Sequence, residues 1–247
     1  MLNWILFDGR EVLWALLGVF LCAQVGTLAT TVYLHRGLAH RSVELHPMAR
    51  WLMRLTIWLT TGIAPREWAA VHRKHHRFAD TEGDPHSPYV HGFWQIQLLN
   101  LHYYRREAAD AAMVERYSRD IGHDAWDRLF DKTTLGPILF VLTWIAVFGP
   151  LLGTAAGFGS FGLYIFLNAS INGAAHWIGY QNFRNTARNL WLLALLTAGE
   201  GLHNNHHEYP GSSRFSQKWW EIDLGWWTIS LLRALKLARV APSAGLA

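Results

Sequence analysis

The sequence predicts an all-α integral membrane protein: about three transmembrane helices, with interfacial helices and a cytoplasmic histidine-rich cap holding a dimetal site. Three observations carry this expectation. Long uncharged apolar blocks are separated by polar stretches, and the mean hydropathy of +0.06 shows how large the polar part is. There are 14 tryptophans in 247 residues, an enrichment that suits belts at a membrane–water interface. Nine of the 14 histidines recur in spaced groups beside the apolar blocks.

The first block, Val12 to Leu34 ("VLWALLGVFLCAQVGTLATTVYL"), carries no charge and exceeds the roughly 20 residues a span requires. Met48 to Ala64 is shorter and contains Arg50 and Arg54, so it reads as an interfacial helix. Two further spans are expected at 135–152 and 157–177, with Pro150, Gly153, Gly157 and Gly159 forming a tight turn between them. The tail "WWEIDLGWWTISLLRALKLAR" reads equally as a helix along the inner interface or as a packed cap helix. The chain is thus one membrane domain, 1–247, with spans at about 12–34, 135–152 and 157–177. Its interfacial helix covers about 48–64, and its cap is made of 35–134 and 178–247.

Charge sets the expected orientation. Of 22 Lys and Arg, 14 lie within 35–134, seven follow residue 177, and Arg10 alone precedes the first span. The positive-inside rule places both cap segments in the cytoplasm and the N-terminus outside; no secretory signal is expected. A net charge of +4 leaves nucleic-acid binding open, but the block distribution argues against such a partner. The one cysteine, Cys22, excludes an internal disulfide and reads as a small hydrophobe.

The histidines carry the chemistry. His35 and His40 form H-x4-H just past the first span, His72, His75 and His76 form H-x2-H-H, and His203, His206 and His207 repeat it; His176 ends the last span. On a helix, positions i, i+3 and i+4 share one face. His35 and His40 diverge on a regular helix, so they serve two different ions or the helix ends between them. Nine imidazoles suit two metals with four or five ligands each. Imidazole ligation suits iron, copper, nickel or zinc. A structural zinc site needs four ligands and usually thiolate, and a zinc hydrolase needs a general base within its box. A two-metal redox site remains, with iron favoured, since two irons can split dioxygen and attack unactivated C–H bonds.

Asn168, Asn172 and His176 follow i, i+4, i+8 along one face of an apolar helix, and polar groups at membrane depth face a bundle interior or a site. Helix–helix packing explains Asn168 equally well; His176 reads as a ligand. His46, His91, His102 and His123 lack partner spacing and read as surface residues. His86, in "GDPHSP", is explained equally by its turn or by the adjacent box.

The ordered motifs "HRGLAHRS", "EWAAVHRKHHRFADTEGDPHSP", "NGAAH" and "GEGLHNNHHEYP", spanning Tyr33 to Trp220, resemble the membrane-bound fatty acyl desaturases, in the branch that includes stearoyl-CoA desaturase. The resemblance implies a diiron enzyme using O2 and two electrons to place a cis double bond in a saturated acyl chain. It places iron (Fe2+) ligands at His35, His40, His72, His75, His76, His176, His203, His206 and His207. It also implies a water-mediated metal contact at Asn172 and a substrate-binding role near the acyl tunnel for Trp68. The acyl chain would be linked to CoA, carrier protein or membrane lipid, and an external donor of ferredoxin, rubredoxin or cytochrome b5 type would supply electrons. One span before the first box, where animal members have two, and the lack of an HPGG heme motif resemble the short bacterial form. The expected location is the bacterial inner membrane with the site on the cytoplasmic side. A membrane diiron hydroxylase or ketolase acting on a carotenoid, sterol or alkane is the alternative reading, and a non-enzymatic metal- or heme-binding protein is a further one.

The run "HRKHHR" then divides. On a helical wheel His72, His75 and His76 share one face, and Arg73, Lys74 and Arg77 share the other. That basic back would meet an acidic electron donor, anionic lipid or solvent.

Overall fold

The computed structural model describes residues 9–241; both ends of the 1–247 domain reading lie outside that range. Helix α1 (Gly9–Ala29) runs without interruption into a π-helix (Thr30–Ala39), making 31 continuous helical residues. A short strand β1 (Val43–Leu45) leads to α2 (Pro47–Thr60) and α3 (Pro65–Phe78). Next come α4 (Pro88–His91), α5 (Phe93–Ala108, kinked at Leu99), α6 (Ala111–Ser118) and α7 (Asp127–Phe130). An antiparallel hairpin of α8 (Leu135–Phe148) and α9 (Pro150–Asn172) follows, then α10 (Ala174–Trp177), α11 (Trp191–Leu196), α12 (His203–Glu208), α13 (Leu224–Ala234) and strand β2 (Ala238–Val240). Strand β2 pairs antiparallel with β1, Val43 opposite Val240, so the far end of the described chain is tied beside the π-helix.

Among the described residues two helical stretches are long and apolar enough to cross a membrane, Gly9–Ala39 and Pro150–Trp177. Along α1, Leu13, Trp14, Leu16, Phe20, Leu21 and Val25 point outward. Among the described residues eight tryptophans are exposed. A surface this apolar needs a lipid or protein neighbour, which accords with a membrane protein. The span expected at 135–152 is shorter than anticipated: α8 has 14 residues, or about 21 Å at 1.5 Å per residue.

The turn between α8 and α9 also lies elsewhere than expected. It is confined to Gly149, at φ +77°, with Pro150 starting α9; Gly153, Gly157 and Gly159 are helical. A Cβ on Gly153 would strike the carbonyl oxygen of Trp144, and one on Gly157 would lie 3.2 Å from Val141 Cγ2. These glycines let two apolar helices approach closely, the use membrane helices make of small residues. Ala15, Trp144 and Ala156 fill the contact with α1.

Helix α2 shows one face to solvent or lipid through Met48 and Leu52 and buries Ile57 and Trp58. Its Arg54 turns inward onto Asp124 (2.9 Å) and Asp127. The tail helix α13 packs through Ile229 on Val32 and Val43, while Trp227 and Leu231 on it, and Leu235 just past its end, are exposed.

The close contact gives a test. Gly153→Leu should destabilise the protein by about 1–3 kcal/mol through overpacking, whereas Gly162→Ala, with nothing within 4 Å of the new Cβ, should be neutral or slightly stabilising. Thermal unfolding in detergent, followed by tryptophan fluorescence, checks both.

Candidate metal centre

All nine histidines singled out by spacing converge in two groups. His35, His40, His72, His76 and His206 form one, and His75, His176, His203 and His207 form the other. Their Nε2 atoms approach in pairs: His35–His206 3.0 Å, His40–His72 2.8 Å and His76–His206 2.9 Å in the first group. In the second, His203–His207 is 3.1 Å and His75–His207 3.3 Å.

The expected divergence of His35 and His40 does not occur, and the π-helix is the reason. A π-helix bonds residues five apart, and the His40 N–H donates to the His35 carbonyl at 3.0 Å. The two side chains therefore rise on one face and enter the same group. The α-helical boxes behave as 100° per residue requires. In α3 the i, i+4 pair His72 and His76 faces the five-histidine group, and His75 faces the other. In α12 the pair His203 and His207 joins the four-histidine group, and His206 crosses to the first.

Three buried carboxylates orient the rings from outside. The Nδ1–H of His35 donates to Glu200 (2.6 Å), that of His75 to Asp84 (2.9 Å) and that of His176 to Asp80 (2.7 Å). Each such bond fixes the tautomer and turns the Nε2 lone pair toward the group interior. Glu200 also accepts from Thr31, which accepts from Arg36, whose Nη2 donates to Asp223 at 2.8 Å. Arg36 and Asp223 are fully buried, and the guanidinium lies 3.8 Å from the Phe215 ring centroid. The short helix α12 is held by its two asparagines. Asn204 donates to the carbonyls of Phe183 and Ala187, and Asn205 donates to Phe215 O and Glu221. The middle of "HNNHH" is therefore scaffold.

Sequence reasoning missed these carboxylates. Glu200, Asp80 and Asp84 lie inside the motifs already noted, so their signal was their nearness to the boxes. The basic back of α3 also differs from its reading. Arg73 donates to the carbonyls of Leu38 (2.7 Å) and Ala39 (2.8 Å) and to Asp120, and Lys74 pairs with Glu107. Two of the three cations brace the fold, and Arg77 alone is exposed.

Burial first, and then neighbouring imidazoles, push His40, His72, His76, His203, His206 and His207 well below the ordinary histidine value of 6.5. Burial opposes ionisation of Asp84, yet its contact with His75 holds it below the usual carboxylate range. Glu200 is likewise lowered against burial by His35, Arg36 and Thr31. Those six rings are thereby held toward the neutral form, which is the state a metal needs.

Beside the groups lies a cavity of about 730 Å³, walled by Trp68, Tyr104, Phe158, Phe161 and Ile165 and by His35, His72 and His203. Trp68 stacks on His72, 4.9 Å between centroids and 10° between planes. Asn168 lines the cavity and donates to the Tyr164 carbonyl. Asn172 lines it too and donates through Nδ2 to Asn100 at 3.0 Å, leaving its Oδ1 as an acceptor. Asn100, next to the kink in α5, had no sequence signal. His86 is buried, stacks on His75 at 4.6 Å and lines the cavity, so it belongs to the site region. His46 caps α2, His91 shows its Nε2 to the Asp84 carbonyl, and His102 and His123 are exposed.

A family model described as fatty acid desaturase matches residues 11–244. The chain is 33% identical over 232 residues to a Delta-9 acyl-lipid desaturase 2 from Arabidopsis thaliana, covering 91% of this chain and 74% of that one. It is 34% identical over 241 residues to an sn-2 palmitoyl-lipid 9-desaturase from Nostoc, covering 92% and 81%. It is also 34% identical over 226 residues to an sn-1 stearoyl-lipid 9-desaturase from Synechocystis, covering 87% and 67%.

The lowered histidine values carry a pH signature. Below about 6.5 the unfolded chain takes up protons that the folded cluster refuses. Stability of chelator-treated protein should therefore fall as pH drops from 7.5 to 5.0, by about 1.4 kcal/mol per pH unit for each histidine still neutral when folded. Carboxylates contribute only at lower pH. Melting temperatures across that window check this, and a flat profile would contradict it.

Proposed function

The chain belongs to the fatty acid desaturase family, as an oxidoreductase that introduces a double bond into an acyl chain, and from that premise we propose that its nine clustered histidines hold two iron ions beside an acyl-binding cavity. Five ligands would come from His35, His40, His72, His76 and His206, and four from His75, His176, His203 and His207. The donor set fits. Ligands about 2.1 Å from one ion and at right angles lie about 3 Å apart, which is the spacing of the paired Nε2 atoms. His176 Nε2 is buried with no partner among the described residues, although its Nδ1 is fixed on Asp80. Asn172, whose free oxygen faces the cavity, would serve the four-histidine ion through water.

The observation that carries this reading is that one apolar cavity touches both groups, through His35 and His72 of the first and His203 of the second. A saturated chain lying there would present a methylene pair to both. Bound iron supplies the dioxygen chemistry. The balance is one O2, two electrons and two protons consumed with two hydrogens of the chain, giving a double bond and two waters. The protein's part is position and dryness: Trp68 fixes the wall against His72, and Phe158 and Phe161 exclude water. Misplacement by about an ångström can cost two orders of magnitude in rate.

The acyl chain is lipid-linked in this proposal, as in the names of the relatives, and electrons come from an external donor of ferredoxin, rubredoxin or cytochrome b5 type. The apolar helices cross a membrane, the bacterial inner membrane in this reading, with the α8–α9 hairpin dipping outward. The histidine cap, with segments 35–134 and 178–247, lies on the cytoplasmic side, supported by 21 of 22 Lys and Arg in those segments.

Expression in a host of defined lipid composition should yield a new monounsaturated fatty acid by mass spectrometry, absent with His75→Ala or His206→Ala; a hydroxylated product instead would overturn the reading. Purified protein should retain about two irons per chain. Asp84→Asn, which keeps size but loosens the hold on His75, should weaken iron retention by about 10- to 100-fold, read by titration with a chelator.

A further inference from the structure

A second cavity, of about 540 Å³, adjoins the acyl cavity and shares Ala64, Glu67, Ala108 and Ala109 with it. Its walls differ in kind. They carry four arginines and six carboxylates, and most are spent on one another. Arg54 is held by Asp124 and Asp127, Arg66 by Glu115 and Arg41 by Asp120, which Arg73 also binds from behind.

Three charges remain. The Arg50 side chain makes no hydrogen bond or ion pair among the described residues, and neither do the carboxylates of Glu67 and Asp131. Burial, and then the negative charge of Asp131, raises the Glu67 carboxyl above its ordinary value; Arg105 offsets this only in part. Two unpaired carboxylates so placed gain from a cation between them, and an unpaired guanidinium gains from an oxyanion. A lone apolar chain would satisfy neither.

We propose that this second cavity is the headgroup subsite of the lipid substrate, taking a zwitterionic amine phospholipid with its ammonium toward Glu67 and Asp131 and its phosphate toward Arg50. This rests on the desaturase reading and narrows it. A ligand with one phosphate and one ammonium matches the spare charges. A polyanionic carrier such as a nucleotide thioester would meet two opposing carboxylates beside the guanidiniums of Arg50 and, from the adjoining cavity, Arg105. Because Glu67 lines both cavities, a headgroup held there would fix how far the attached acyl chain reaches toward His72 and His203.

The test separates binding from turnover. Native mass spectrometry of the detergent-solubilised protein, titrated with phosphatidylethanolamine, phosphatidylglycerol or stearoyl-CoA, should show phosphatidylethanolamine retained preferentially. Glu67→Gln and Asp131→Asn, both isosteric, should reduce that preference about tenfold, the scale of one charged contact, with no change in melting temperature. Arg50→Gln should weaken both phospholipids alike. The same lipids in reconstituted vesicles, supplied with iron and reductant, then report desaturation. Equal binding of the zwitterionic and anionic lipids, tighter binding of the thioester, or an unchanged preference in both carboxylate variants would overturn the headgroup subsite. Selective binding of phosphatidylethanolamine without any desaturation would leave the subsite standing and count against the desaturase reading alone.

Discussion

Nine imidazoles gathered in two groups, with paired nitrogens about 3 Å apart, impose one condition on the rest of the molecule: an extra proton is disfavoured on rings such as His72, His76 and His206, and each ring must face a set direction. A charged ring here would be desolvated and repelled by its neighbours, which is why burial leads the downward shifts of His72, His76 and His206. Direction needs partners outside the cluster that accept an Nδ1 proton, and here the acceptors are carboxylates. Glu200, Asp84 and Asp80 are those partners. Glu200 is itself buried, so it needs Thr31 and Arg36, and Arg36 needs Asp223. The chain of dependence runs outward until Asp223 accepts from the N–H groups of Phe215 and Trp226.

The two H-x2-H-H boxes solve the geometry reciprocally. Each gives its i, i+4 pair to one group and its i+3 ring to the other, so α3 and α12 are each stapled to both groups. No single helix could surround an ion, and α12 has only six residues. Its orientation therefore comes from Asn204 and Asn205, whose amides satisfy the carbonyls of the 183–187 loop and of Phe215. An apolar pair at these positions would leave those buried carbonyls unpaired, at about 1–3 kcal/mol each.

What could be read from the sequence follows from the range of each signal. Histidine spacing within a helix is a local property, so the shared faces of the two H-x2-H-H boxes were legible, whereas the meeting of His35 with His40 was not. The apolar blocks likewise announced α1 and α9. The π-helix was not legible, because five-residue spacing reads as divergent on a regular helix; at its start Thr30 bonds both the Gly26 carbonyl and Tyr164 on a distant helix. Gly153 misled because a glycine breaks helices exposed to water but permits close approach between apolar ones, and the sequence does not say which neighbour it has. Asn100, Glu67 and Asp131 acquire meaning only through cavities that the tertiary fold creates.

Helix α3 shows why site and fold cannot be separated here. One side gives three imidazoles to two groups, Trp68 walls the apolar cavity, and Glu67 stands where that cavity meets the charged one. The opposite side is strapped by Arg73 to the carbonyls that end the π-helix and by Lys74 to α5. The π-helix brings His35 and His40, and α5 brings Asn100 and Tyr104 to the cavity wall. The charges that looked like a surface for a partner thus hold the histidines and the cavity in one frame. With Trp68 stacked within 10° of the His72 plane, a shift of the wall would shift a ring of the cluster with it, so the geometry of the cavity and that of the nitrogen groups are set by the same contacts.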